Sequence, residues 1–288
     1  MRLVASRVSS KNMPPDTEIP GTRAETPPVI EARSLTRRFG SLTAVDGLNL
    51  TVSKGTLFGL LGTNGAGKST TIKMLTTLLP PSEGNALVAG FDIVRESREV
   101  RRHIGYVAQM LSADGELTGY ENLLISAKLY GIPGKLRRAR IEGALEFMAL
   151  SSQADRLVSQ YSGGMIRRLE IAQAMLHRPE VLFLDEPTVG LDPGAKMAVW
   201  ERIRSMRQEF GTSVLMTTHD MDEADQLCDE VAFMHMGKLV AMGMPIELKN
   251  QIGPGATLDD VFIRHTGAAE RGDYKDVRRT RRTAQRLE

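Results

Sequence analysis

An α/β fold built on a mainly parallel sheet is the class this sequence predicts, and three observations predict it. Apolar runs of strand length, "LFGLL" (Leu57 to Leu61), "VLFLD" (Val181 to Asp185) and "SVLMTT" (Ser213 to Thr218), read as central strands buried on both faces. Longer stretches of helical pattern alternate with them, as crossover connections between parallel strands require. A glycine-rich segment, "GTNGAGKST" (Gly62 to Thr70), sits between the first of these runs and the helical "TTIKMLTTLL".

Taken in order along the chain, residues 1–27 are rich in Pro, Thr, Ser and charge and lack periodicity, so a disordered leader is expected there. "NLTV" (Asn49 to Val52) alternates like a strand with one exposed face. Between Leu117 and about Ala174 the pattern is helix-rich, and "TGYE" (Thr118 to Glu121) is a capping box opening the helix "NLLISAKLYGI". "QYSGGMIRRLEIAQAML" (Gln160 to Leu176) starts a further amphipathic helix behind a serine and two glycines. From Ala268 to Glu288 the chain is polar and Arg-rich, which reads as a solvated tail or as a contact with acidic lipid head groups.

Composition excludes several classes. A chain of 288 residues, 41% hydrophobic and 25% charged, can bury a sizeable core in one large or two small domains. The net charge of +2 is too small to argue for a nucleic-acid groove. Cys228, the single cysteine, excludes an internal disulfide and a multi-cysteine metal site, and reads as a small buried apolar residue. No window approaches the roughly 18 continuous apolar residues of a membrane span, and the first residues have no apolar core of a secretory signal. A relation to a membrane is therefore expected to run through a partner.

"GTNGAGKST" satisfies G-x-x-x-x-G-K-[ST]: Gly62, Thr63, Asn64, Gly65, Ala66 and Gly67 offer backbone N–H groups to a β-phosphate, Lys68 would bridge β- and γ-phosphates, and Ser69, followed by Thr70, would ligate Mg²⁺. "VLFLDEP" adds Asp185 at a strand tip for Mg²⁺ and Glu186 to orient or deprotonate water. The Ser162, Gly163 and Gly164 helix start suits an anion but has no lysine of its own to clamp one.

Together these segments resemble the nucleotide-binding subunit of an ATP-binding-cassette (ABC) transporter over roughly Val29 to Gly267. The resemblance implies a P-loop NTPase fold whose mainly parallel core sheet carries an antiparallel β subdomain and an inserted helical subdomain at about 110–174, within a domain of residues 28–267. It implies that Ser162, Gly163 and Gly164 bind the γ-phosphate of ATP held by a second copy of the domain, so that two ATP molecules lie in a head-to-tail homodimer. It further assigns Phe39 of "LTRRFG" to stacking on adenine, Gln109 of "IGYVAQ" to sensing Mg²⁺ and the attacking water, Asp192 of "GLDP" to aligning the two copies, and His219 to the γ-phosphate. Glu186, His219 and Gln109 are then the catalytic set, and ATP and Mg²⁺ the ligands. Three positions depart from the family pattern: Tyr161 stands where leucine usually precedes the SGG, Met165 where glutamine is most common, and Thr63 in place of a frequent proline.

"ELTGYENLLISAKLYGIP" and "ATLDDVFIRHTG" resemble the bacterial drug-resistance branch, in which a separate permease accompanies each ATPase. This implies a peripheral protein on the cytoplasmic face of the membrane, exporting hydrophobic, daunorubicin-type drugs, with no nucleic-acid partner. Lipid, polysaccharide or ion cargo, and a membrane-free ABC ATPase switch, stay open as alternatives. The spacing of about 90 residues between Lys68 and Ser162, without a heptad run, argues against the DNA-repair type. His103, His177, His235 and His265 match no such position and read as surface or packing residues.

Overall fold

Burial patterns separate two kinds of sheet in the computed structural model, which describes residues 27–267. The leader expected at 1–27, apart from Pro27, and the tail expected at 268–288 lie outside the described residues. β1 (Ile30–Phe39) and β2 (Leu42–Val52) form an antiparallel pair, and with β4 (Glu83–Val88) and β5 (Phe91–Asp92) they make a four-stranded sheet of order β2-β1-β4-β5. Asn49 to Val52 alternates exposed and buried within β2, as its sequence predicts.

The second sheet has six strands in the order β10-β9-β3-β8-β7-β6. β3 (Leu57–Leu61), β6 (Ile104–Val107), β7 (Val181–Asp185), β8 (Ser213–Thr218) and β9 (Glu230–His235) are parallel, and β10 (Lys238–Gly243) runs antiparallel at the edge. Every residue of β3, β7 and β8 is buried. The reason lies in the layers on either side. Phe58, Leu60, Phe183 and Leu215 pack with the four-stranded sheet and with α1 (Lys68–Leu75), while Leu57, Leu61, Leu182, Leu184 and Met216 pack with the larger helices. A strand covered on both faces has no position where a polar side chain reaches water, so its sequence is continuously apolar.

The helical insertion between β6 and β7 holds α3 (Gly119–Leu129), α4 (Gly134–Phe147) and α5 (Gly163–Met175), after α2 (Ser97–His103) has led into β6. The capping box at Thr118 is present in full, with Glu121 bonded back to the cap. The helix it opens ends at Leu129, so the expected "YGI" extension is corrected: Gly131 takes a left-handed φ of 69°. α1 likewise stops at Leu75, before the expected "TTLL", because Thr77 adopts φ 63°. α6 (Pro193–Phe210), α7 (Met221–Leu227), α8 (Pro245–Asn250) and α9 (Leu258–Thr266) complete the layer, and Cys228 is buried within it.

Phe183 is fully buried between β7 and the α1 layer. Phe183→Ala is expected to lower the unfolding free energy by about 3–5 kcal/mol through lost transfer energy and a cavity. A urea titration checks this, and an unchanged midpoint would remove Phe183 from the core.

Candidate functional site

The site lies where β3, β8 and β7 end side by side, the carboxyl edge at which open α/β sheets bind ligands. Residues 62–67 carry the chain from β3 into α1, with Asn64 and Gly65 exposed and Ala66 buried. Glycine is required at Gly67, where φ is 108° and a Cβ would lie 2.5 Å from the Ala44 carbonyl oxygen. Lys68 opens α1 yet is only 4% exposed. Its ammonium donates to the carbonyls of Gly62 at 2.8 Å and Thr63 at 3.2 Å, and pairs with Glu186 Oε1 at 3.3 Å. Thr70 stands half-buried in the same first turn.

Ser69 donates its hydroxyl to Asp185 Oδ1 at 3.0 Å. Two hard oxygen donors this close suit Mg²⁺, which commonly takes one or two protein oxygens and fills the rest with phosphate and water. Among the described residues no group of three or more His, Cys, Asp or Glu could hold a metal ion.

Glu186 follows β7 at φ 49°, a left-handed conformation costly for a residue with a side chain. Its N–H donates to Thr217 Oγ1 at 3.0 Å and to the Thr217 carbonyl at 3.2 Å, while the Thr217 hydroxyl donates to Asp185 Oδ1 at 2.7 Å. Thr217 thus holds the Asp185 carboxylate and the Glu186 backbone together. Glu186 Oε2 meets His219 Nδ1 at 3.2 Å and Gln109 Nε2 at 3.5 Å. Lys68, Gln109 and His219, the first and last of them 151 positions apart in sequence, are therefore brought to the one carboxylate of Glu186. Nearby on β6, burial, with Asp185's charge adding to it, pushes the Tyr106 phenol up to about 12.

Ser162 caps α5, its Oγ accepting the Met165 N–H at 3.3 Å. Gly164 lets α5 approach the start of α6: a Cβ there would lie 2.6 Å from that of Ala195. Gly163 faces Leu191 of the same segment, and Asp192 caps α6 through the Ala195 N–H at 2.9 Å. The SGG and GLDP segments are therefore neighbours, and neither reaches the Glu186 cluster of its own chain by any hydrogen bond. The expectation that Tyr161 departs from the pattern has a local explanation. Its hydroxyl donates to the Gln153 carbonyl at 2.6 Å and fills space left by Gly119. Phe39 ends β1 at 44% exposure with the Arg37 guanidinium 4.7 Å from its ring centre, so it is surface aromatic area beside a cation. His177 stacks on Tyr130 and bonds the Ile104 carbonyl, a packing role.

Sequence reasoning missed Thr217 and Glu223. Glu223, 1% exposed, accepts the Thr188 hydroxyl at 2.6 Å, the Trp200 N–H at 2.7 Å and the Thr218 hydroxyl at 2.5 Å. The signal available was the polar Thr217-Thr218 pair closing an otherwise apolar strand.

A family model described as ABC transporter matches residues 45–189. YbhF of Escherichia coli K12, a probable multidrug ABC transporter ATP-binding protein, is 43% identical over 250 residues, covering 85% of this chain but 43% of its own length. The chain thus spans less than half of that relative. The daunorubicin/doxorubicin resistance ATP-binding protein DrrA of Streptomyces peucetius is 46% identical over 224 residues, 78% of this chain and 68% of DrrA. A solved structure described as the ATP binding subunit of an ABC transporter superposes with a TM-score of 0.74 at 29% identity, over 83% of this chain and 99% of that one.

Thr217→Val is expected to cost about 1–3 kcal/mol, because it removes the hydroxyl that donates to the buried Asp185 carboxylate and leaves the Glu186 N–H with the Thr217 carbonyl alone. Thr217→Ser keeps both bonds and should hold stability near wild type; equal unfolding midpoints for all three proteins would contradict the assignment.

Proposed function

The chain belongs to the ABC transporter family, and from that premise we propose that it binds and hydrolyses ATP at the Gly62–Thr70 loop to power an exporter whose membrane-spanning part is a separate permease. The observation that carries this is the gathering of Lys68, Gln109 and His219 around the Glu186 carboxylate, at the mouth of a glycine loop ending in a buried lysine. Each group has one task. The loop N–H groups and Lys68 hold the β- and γ-phosphates. Glu186 takes or orients the proton of the attacking water, with Gln109 and His219 aligning its Oε2. Ser69 and Asp185, with Gln109, would hold Mg²⁺, which would supply neutralisation of phosphate charge.

That Ser162–Gly164 makes no hydrogen bond to this cluster of its own chain supports a head-to-tail pair of copies. Each helix start then offers its N–H groups to the γ-phosphate on the other copy, beside Asp192. ATP favours the closed pair because it alone bridges Lys68 of one copy and Ser162 of the other, and hydrolysis removes the bridge. Phe39 stacks on the adenine.

The motion passes to the permease through the helical insertion, where Met110, Leu111 and Leu129 are apolar and exposed. No helix among the described residues is long and apolar enough to cross a membrane, in keeping with peripheral attachment to the cytoplasmic face through that partner. The cargo in this reading is a hydrophobic drug or antibiotic, supported by the likeness to DrrA, named for daunorubicin/doxorubicin resistance, and to YbhF, named as a probable multidrug ATP-binding protein. No nucleic acid takes part.

Lys68→Ala should abolish ATP binding or turnover, whereas Glu186→Gln should bind ATP, accumulate an ATP-dependent dimer in gel filtration and release phosphate about 10²–10⁴-fold more slowly. Wild-type hydrolysis by Glu186→Gln would overturn the catalytic assignment. Affinity capture of Glu186→Gln with ATP and Mg²⁺ from gently solubilised membranes should recover a polytopic membrane protein in near-equal amount; ribosomal or DNA-bound proteins in its place would overturn the transport reading.

A further inference from the structure

Helix α5 begins with glycines that make no hydrogen bond to their own chain's Glu186 cluster, yet one turn later it grips the loop that carries Gln109. Arg167 and Glu170 are 2% and 4% exposed, and neither touches Lys68, Glu186 or His219. The Arg167 fork donates from Nη1 to the Ala108 carbonyl at 2.6 Å and from Nη2 to the Gln109 carbonyl at 2.7 Å. Nη1 also lies 3.1 Å from Glu170 Oε2. Glu170 Oε1 in turn accepts the Ser112 N–H and, at 3.1 Å, its hydroxyl. The backbone leaving the edge strand β6 at Val107 is thereby tied to α5 on both sides of Gln109, while the Gln109 side chain turns to Glu186.

As a source of stability this pair is poor. Two charges are taken out of water, and Arg167 Nε and Glu170 Oε2 are left without a hydrogen bond. As a positional device it is good, because a planar guanidinium bonded to two successive carbonyls fixes their direction as well as their distance.

We propose that Arg167, braced by Glu170, is a positioning residue that makes the Gln109 loop travel with the Ser162–Gly164 helix. The glutamine touching Glu186 is then set by the helix that meets the second copy's nucleotide. This rests on the function proposed above and adds a route by which occupancy of one site alters the other. A shift of α5 on closure is delivered to Gln109 through two hydrogen bonds, not through a flexible loop. The coupling is expected as cooperativity in ATP.

The double variant Arg167→Met/Glu170→Gln replaces the ion pair by neutral groups of similar size and keeps an acceptor for Ser112, so the fold should survive. It frees the Ala108 and Gln109 carbonyls. ATP hydrolysis by the full chain is measured against ATP concentration, with Tm recorded alongside. Expected are a Tm near wild type, KM within about twofold, kcat lower by about ten- to a hundredfold, and a Hill coefficient falling towards one. Should the double variant not fold, Arg167→Lys keeps the charge beside Glu170 but cannot span both carbonyls, and should show the same loss in kcat to a smaller degree at unchanged Tm. A wild-type chain that turns over no ATP defeats the proposed function itself. Wild-type turnover with kcat and Hill coefficient undiminished in the folded variants overturns only this inference, as does a kcat that falls in step with Tm.

Discussion

Two opposite charges, Lys68 and Glu186, lie 3.3 Å apart with side chains almost wholly removed from water, and either one left alone there would cost several kcal/mol. The rest of the site follows from that constraint. Lys68 opens α1 beyond the loop that leaves β3, and Glu186 follows β7; the two strands are not neighbours, and β8 lies between them. Thr217 of β8 fills the gap by holding Asp185 and the Glu186 N–H together. The sheet order is thus what allows the pair to form. In the proposed function an arriving triphosphate gives Lys68 a new anionic partner, and Glu186 becomes available to water without either charge passing through an unpaired buried state.

How much of this was legible in the sequence depends on how far apart the cooperating residues lie. LFGLL, VLFLD and SVLMTT could be read as central strands because burial on both faces leaves a continuous apolar signature. The Thr118 capping box was legible because its two halves are three residues apart. β1 was not, since its register shifts near Leu35 and Arg37 break the alternation with β2 that would have announced it. Arg167 and Gln109 are 58 residues apart, and nothing in the local pattern of α5 marks a buried arginine as different from a surface one.

The departures at Tyr161 and Met165 are legible only with both views. As sequence they bear on rate and nucleotide affinity while leaving the backbone N–H donors in place. As structure, Tyr161 is absorbed by Gly119 and the Gln153 carbonyl, and Met165 supplies a backbone N–H to Ser162, for which its side chain is irrelevant. The geometry of the Ser162–Gly164 turn is also set by packing within one chain, through Gly164 against Ala195. A helix start held in this way needs little reordering when an anion reaches it, which lowers the entropic cost of binding.

The site also has a stiff half and an adjustable half. Glu223 accepts three side-chain donors from the β7 loop, α6 and β8, so the segments carrying Glu186 and His219 are cross-linked by a satisfied buried network. Gln109 stands outside that network. It meets Glu186 at 3.5 Å, the longest contact in the cluster, and its backbone is held by α5 instead. In the proposed function, motion between the helical insertion and the sheet would fall on the Gln109 contact and leave the Glu186–His219 geometry alone. Such a division suits a switch: Glu186 would stay aligned on His219 while Gln109 came and went with the helix.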